Sequence, residues 1–108
     1  NAEGLRYTIT QLHKEVTGNL HMVIGVVSDK DLKLILPLLP GEAAYYFCRP
    51  DVPRGMDAQF LQQQAVQFGL QGDSYPSVTA AYTSALKNAD PVDTIYVGGS
   101  TFTVAEVL

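Results

Sequence analysis

The stretch "LHMVIGVVSDKDLKLILPLL", residues 20–39, decides how this chain folds. Its first eight residues, Leu20 to Val27, are nearly all apolar and rich in β-branched types, and a polar break follows too soon for a helix. That pattern predicts a strand covered on both faces, as in a parallel sheet. Ser28 and Asp31, three residues apart, resemble a capping box, and carboxylates in a first turn suit the positive end of a helix dipole. A helix is therefore predicted from Ser28. Pro37, about two turns in, removes a hydrogen bond and should end or kink that helix near Leu36.

Working outward, "EGLRYTITQLHKEVTG", residues 3–18, repeats Leu5, Ile9, Leu12 and Val16 at helical spacing, with Gly18 placed to stop it. "AAYYFCR", residues 43–49, reads as a second strand, and "PDVPRG" after it as a loop. Asp57 should cap the helix "AQFLQQQAVQF", with Phe60, Leu61, Ala65 and Phe68 on one face and Gly69 as a left-handed stop. "LQGDSY" has room for a short strand. Ser77 should cap a helix that turns Val78, Ala81, Tyr82 and Ala85 inward. "VDTIYVGG" and "STFTVAEVL" close the chain as strand and helix. Helices and apolar strands alternating in this way predict an α/β fold, a three-layer α/β/α Rossmann-like domain with a mostly parallel sheet.

At 108 residues, 46% of them apolar, the chain supports one core, so residues 1–108 are read as one domain. The formal charge of −4 and the scattered Lys and Arg residues leave no footprint for a phosphate backbone or an anionic membrane, so nucleic acid and membrane are not expected as partners. The single cysteine, Cys48, permits no internal disulfide and no metal-ligand spacing, and it lies mid-strand among aromatics as a small core residue. No basic segment precedes an apolar signal core, and no apolar run approaches the roughly 20 residues that span a bilayer. The expected location is the cytoplasm. Asn1 is not a methionine and the chain opens almost at once into a helical pattern, so the sequence reads as cut from a longer one, with Asn1-Ala2 native or left from a tag.

Ligands of parallel sheets bind beyond the carboxyl ends of the strands. The residues there are Ser28-Asp29-Lys30-Asp31, the segment from Arg49 to Arg54, and Gly98-Gly99-Ser100-Thr101. The last group has neither the spacing nor the lysine of a Walker loop, and Phe102-Thr103 break the dinucleotide fingerprint. What remains is a glycine turn that either presents N–H groups and a hydroxyl to a carboxylate or phosphate, or is a tight turn with Ser100 as cap. Lys30 can offer a positive charge to an anionic ligand while Asp29 or Asp31 orients an amine. The alternative is a capped helix start carrying solvated charges. Arg54 is either a carboxylate or phosphate clamp or an ordinary surface arginine. His13 and His21 have no serine or cysteine partner that would suggest a triad, and both are read as structural.

Four segments in order, "NAEGLRYTITQL", "VIGVVSDKDL", "RPDVPRGMDAQFL" and "VGGSTFTVAEVL", resemble the carboxyl-terminal domain of bacterial bifunctional folylpolyglutamate synthase/dihydrofolate synthase, in the Mur ligase superfamily. The resemblance spans the chain. It implies an ATP-dependent ligase in which a pterin-linked carboxylate becomes an acyl phosphate that the amine of L-glutamate attacks. ATP and Mg would be bound chiefly by an upstream ATPase domain joined in cis, with no cofactor in this domain and no catalytic or metal-binding residue assigned to it. Ser100, in the position of a G-S-x-x-T-V segment, would bind a glutamate carboxylate, although Thr101-Phe102 shift the aromatic of the commoner pattern by one place. Lys30 and Asp29, in a D-K-D turn, would face the same cleft, Arg54 matches a P-R pair, and Asn1 would end a D-x-x-H-N hinge. The isolated domain would be a catalytically inactive monomer. The rivals are a response-regulator-like module and a nucleotide- or sugar-phosphate-binding fold without catalysis. The first needs an acid after a central strand and a lysine after a late one, where this chain has Arg49 and Gly98.

Overall fold

The computed structural model describes residues 2–108; Asn1, expected at a hinge from the resemblance, lies outside them. The element order is α1 (Ala2–Glu15), β1 (Leu20–Gly25), α2 (Leu32–Ile35), β2 (Ala44–Cys48), α3 (Ala58–Val66), β3 (Gly72–Ser74), α4 (Val78–Asn88), β4 (Thr94–Gly98) and α5 (Thr101–Ala105). The strands form one sheet in the order β3-β2-β1-β4. Every pairing is parallel, with Val23 opposite Tyr46 on one side and Val97 on the other. All six residues of β1 are buried, as its unbroken apolar run requires of a central strand. The last strand, β4, is an edge and only half-buried until Gly98.

Helices cover both faces. On one, Ile9 of α1 and Leu61 and Ala65 of α3 pack with Met22, Ile24, Tyr45 and Phe47 of the sheet and with Leu36. On the other, Val78, Ala81 and Ala85 of α4 pack on Val23, Tyr46 and Cys48, with Val107 beyond α5 joining from the side. This is the three-layer parallel α/β/α architecture that the alternation predicts. The connections from β1 to β2 and from β2 to β3 therefore run over one face, and that from β3 to β4 over the other.

Three local expectations need correction. Ser28 does not cap α2; its N–H is spent on the Arg54 carbonyl at 2.7 Å, and Asp31 caps instead, accepting from the Lys33 N–H at 3.1 Å. Phe60 and Phe68 do not face the core, being 48% and 39% exposed. The inward stripe of α3 is Ala58, Leu61 and Ala65, and Phe60 sits one position, about 100°, off it. Phe68 lies beyond the last helical residue, Val66. The first helix stops at Glu15, short of Gly18. The other signals hold: Asp57, Ser77 and Ser100 each accept from a first-turn N–H, Gly69 takes φ +78°, and a 3-10 turn, Leu36–Leu38, takes over where Pro37 forbids more α-helix.

Cys48 is fully buried, and burial together with the charge of Glu106 pushes its thiol up to about 12, which leaves it a thiol and not a nucleophile at neutral pH. His21 is structural as well. Its Nδ1 meets the Tyr46 hydroxyl and its Nε2 meets the Asp93 carboxylate, both at 2.9 Å, joining the amino-terminal ends of β1 and β4. His13 is exposed on α1.

Candidate functional site

Because β1 sends the chain toward β2 on one side while β4 lies on its other side, the crevice of this sheet opens between the carboxyl ends of β1 and β4. In parallel sheets such a reversal of strand order leaves room for a ligand, since the loops on either side diverge to opposite faces. A cavity of about 470 Å³ lies there, lined by Lys30 and Asp31 after β1, Tyr96 and Gly99 at the end of β4, Leu34 of α2, and Leu5 of α1 among others. Its walls are mainly apolar. The Lys30 ammonium has no ion-pair or hydrogen-bond partner among the described residues, and the Asp31 carboxylate lines the cavity beside it. Burial pushes the Tyr96 phenol upward, so this wall keeps a neutral hydroxyl.

The turn after β4 is held by specific contacts. Gly99 has φ +97°, a conformation that favours glycine, and a Cβ placed there would lie 2.6 Å from the Gly25 carbonyl oxygen. The Thr103 hydroxyl, fully buried, donates to that same carbonyl at 2.8 Å and ties α5 to the end of β1. Ser100 follows as the cap of α5, its Oγ accepting from the Phe102 N–H at 3.1 Å. Its O–H remains able to donate outward.

The loop after β2 is zipped to the exit of β1. Val27 bridges Gly55, and the Met56 N–H donates to the Val26 carbonyl at 2.8 Å. Arg49 Nε donates to the Gly55 carbonyl at 2.9 Å, and the Asp51 N–H donates to the Glu106 carboxylate at 2.8 Å. Arg54 consequently reaches Asp29, with Nη1 2.8 Å from Oδ2, in an exposed pair. Of the four residues singled out from sequence, Lys30 lines the cavity, Ser100 adjoins it through Gly99, and Asp29 and Arg54 neutralise each other outside its lining. Two residues that shape the site, Thr103 and Tyr96, carried no sequence signal beyond an apolar or small-polar context.

Among the described residues no group of three His, Cys, Asp or Glu side chains could hold a metal ion, and the sequence has no G-x-x-x-x-G-K loop. No described helix is long and apolar enough to cross a membrane.

The fold and this edge define a parallel α/β/α domain with a cation and a glycine turn facing one crevice. The family described as Mur ligase, glutamate ligase domain, matches residues 1–101, and the chain belongs to it. It is 32% identical over 107 residues to a protein of Haloferax volcanii named a probable bifunctional folylpolyglutamate synthase/dihydropteroate synthase, covering 98% of this chain and 13% of that one. An Escherichia coli FolC structure in complex with DHPP and ADP superimposes with a TM-score of 0.88 at 30% identity, covering 99% of this chain and 25% of that one. A bifunctional folylpolyglutamate synthase/dihydrofolate synthase with Mn, AMPPNP and L-glutamate bound gives a TM-score of 0.84 at 30% identity, covering 99% and 26%. The chain thus spans only about a quarter or less of these proteins.

Proposed function

We propose that residues 1–108 form a single domain that supplies the glutamate side of an ATP-dependent ligase, one that joins L-glutamate to dihydropteroate, folate or both through an acyl phosphate. The observation that carries this reading is the unpaired Lys30 ammonium sharing one crevice with the Gly99-Ser100 turn. Lys30 would attract a carboxylate of the amino acid, and the Ser100 hydroxyl would donate to it. Asp29 and Arg54, outside the cavity lining, form an exposed pair that could re-form around a zwitterion, Arg54 taking a carboxylate and Asp29 the amine. A solved relative that holds L-glutamate supports the substrate.

Attack of an amine on an acyl phosphate is mainly a matter of orientation, so capturing glutamate at two points turns a collision into a positioned encounter. Closure of this domain over the reacting groups would also keep water from the intermediate. ATP and Mg would be held chiefly by an upstream ATPase domain in cis, with Asn1 at the hinge, since this chain has no G-x-x-x-x-G-K loop. The domain is a cytoplasmic monomer and is inactive alone. With ATP, Mg, a pterin-linked carboxylate and labelled L-glutamate, the 108-residue chain should form no labelled amide. In the same chain, millimolar L-glutamate should move the amide signals of Lys30, Gly99 and Ser100 in an NMR titration. An amide formed by the chain alone, or signals moving only elsewhere, contradicts the reading.

A further inference from the structure

Two side chains in the crevice of β1 and β4 keep an unused donor. Of the described residues that line it, only Thr8, Lys30 and Tyr96 carry a side-chain donor, and the Thr8 hydroxyl is spent on the Gly4 carbonyl at 3.0 Å. The Lys30 ammonium and the Tyr96 hydroxyl have no partner among the described residues. Tyr96 reaches the cavity through its place in the sheet. Successive residues of β4 point to opposite faces, so Ile95 and Val97 join the core under α4 while Tyr96, opposite Met22, joins the core under α1. Gly98, two residues on and on the same face, leaves the ring room. A Cβ there would lie 2.6 Å from both Cε1 and the hydroxyl oxygen of Tyr96, so the phenol lies over Gly98 and its hydroxyl stands at the carboxyl end of the strand, beside the Gly99-Ser100 turn. Burial pushes this phenol upward and keeps it a neutral donor.

We infer that Tyr96 is a specificity-determining residue of the glutamate site, its hydroxyl donating to the carboxylate that Lys30 does not hold. The inference rests on the glutamate-ligase reading and deepens it. Glutamate brings two carboxylates. One goes to Lys30, but the Asp31 carboxylate beside that lysine lines the same cavity and disfavours a second anion there. The wall formed by β4 contributes Tyr96 and Gly99 and no acid, so the second carboxylate is taken on that side. Leu5, Leu34 and Ile35 supply apolar surface for the methylene groups between the two ends. An amino acid with a single carboxylate satisfies Lys30 and leaves the phenol without an anionic acceptor. A site built to hydrogen-bond a substrate group discriminates against the analogue that lacks it.

The test is an NMR titration of the labelled 108-residue chain with L-glutamate and, separately, with L-norvaline, which has a methyl group where glutamate has its side-chain carboxylate. The unaltered chain should bind glutamate more tightly than norvaline. Tyr96→Phe keeps the ring over Gly98 and removes only the hydroxyl. It should weaken glutamate binding roughly ten-fold, as loss of a hydrogen bond to a charged group does, and leave norvaline binding and Tm unchanged. Gly98→Ala, whose Cβ displaces the phenol, should also weaken glutamate binding, yet add little in a Tyr96→Phe background, because the two changes act on one contact. Glutamate binding indifferent to Tyr96→Phe, equal weakening of both ligands, or additive effects of the two substitutions overturns the assignment. Failure of the parent reading looks different: L-glutamate then leaves Lys30, Gly99 and Ser100 unmoved in the unaltered chain.

Discussion

Replacing Thr103 by valine tests how the site is held together. The side chain is fully buried, and its only polar contact among the described residues is the 2.8 Å bond to the Gly25 carbonyl at the exit of β1. Valine has nearly the same shape, so packing against the sheet is kept and the substitution isolates the hydrogen bond. Taking away a donor from a buried carbonyl costs about 1–3 kcal/mol, the desolvation of an unsatisfied group. In a domain near this size each kcal/mol lowers Tm by about 4–8 °C, so the variant should melt at least about 4 °C lower. Urea denaturation should show a lower midpoint with an unchanged slope, since the surface exposed on unfolding is the same. The damage should be local as well, with the amide signals of Gly99 and Ser100 shifting more than those of α3. A loss below about 0.5 kcal/mol, the scatter of ordinary surface changes, would refute the claim that this bond fastens α5 to β1.

Gly99→Ala should cost about 2 kcal/mol or more, because the new Cβ meets a backbone oxygen at 2.6 Å in a φ +97° conformation. Gly69→Ala, at φ +78° with nothing near the new Cβ, should cost only about 1 kcal/mol; equal losses in denaturant titrations would contradict the crowding argument. Asp93 is held below the ordinary carboxylate range by the Asp90 N–H, the bond with His21 and the Asn19 N–H. A depressed carboxylate contributes stability above its unfolded value, near 3.9, that is lost as pH falls through the folded value. Asp93→Asn should therefore flatten the acid limb of stability measured between pH 2 and 5, and an unchanged limb would remove Asp93 from that role.

Much of the fold was legible because local signals agreed with one another. β1 could be buried on both faces only in a parallel sheet, and Asp57, Ser77, Ser100 and Pro37 mark helix ends by chemistry that needs no distant partner. The errors arose where partners are distant or facing is fine-grained. Ser28 lost its capping role beside a β-bridge with a distant loop, between Val27 and Gly55, where its N–H donates to the Arg54 carbonyl. Phe60 reads as a core residue by type, yet a shift of one helical position carries it to solvent. Lys30 and the Gly99 turn could be placed on one edge as soon as the strands were taken as parallel. The Arg54–Asp29 pair, the Thr103–Gly25 bond and the His21–Asp93 contact depend on which strands are neighbours, and periodicity within one segment does not carry that information.

The crevice of β1 and β4 is proposed to take the carboxylate of the incoming glutamate. The direct measurement is steady-state ligation by the full-length ligase proposed to contain this domain, with Lys30→Ala and Ser100→Ala compared against the unaltered protein. Loss of a charged or hydrogen-bonding contact to the substrate, at roughly 1–3 kcal/mol, should raise KM for L-glutamate about five-fold or more while KM for ATP changes less than two-fold. Both constants unchanged in both variants, or ATP affected as strongly as glutamate, would contradict it.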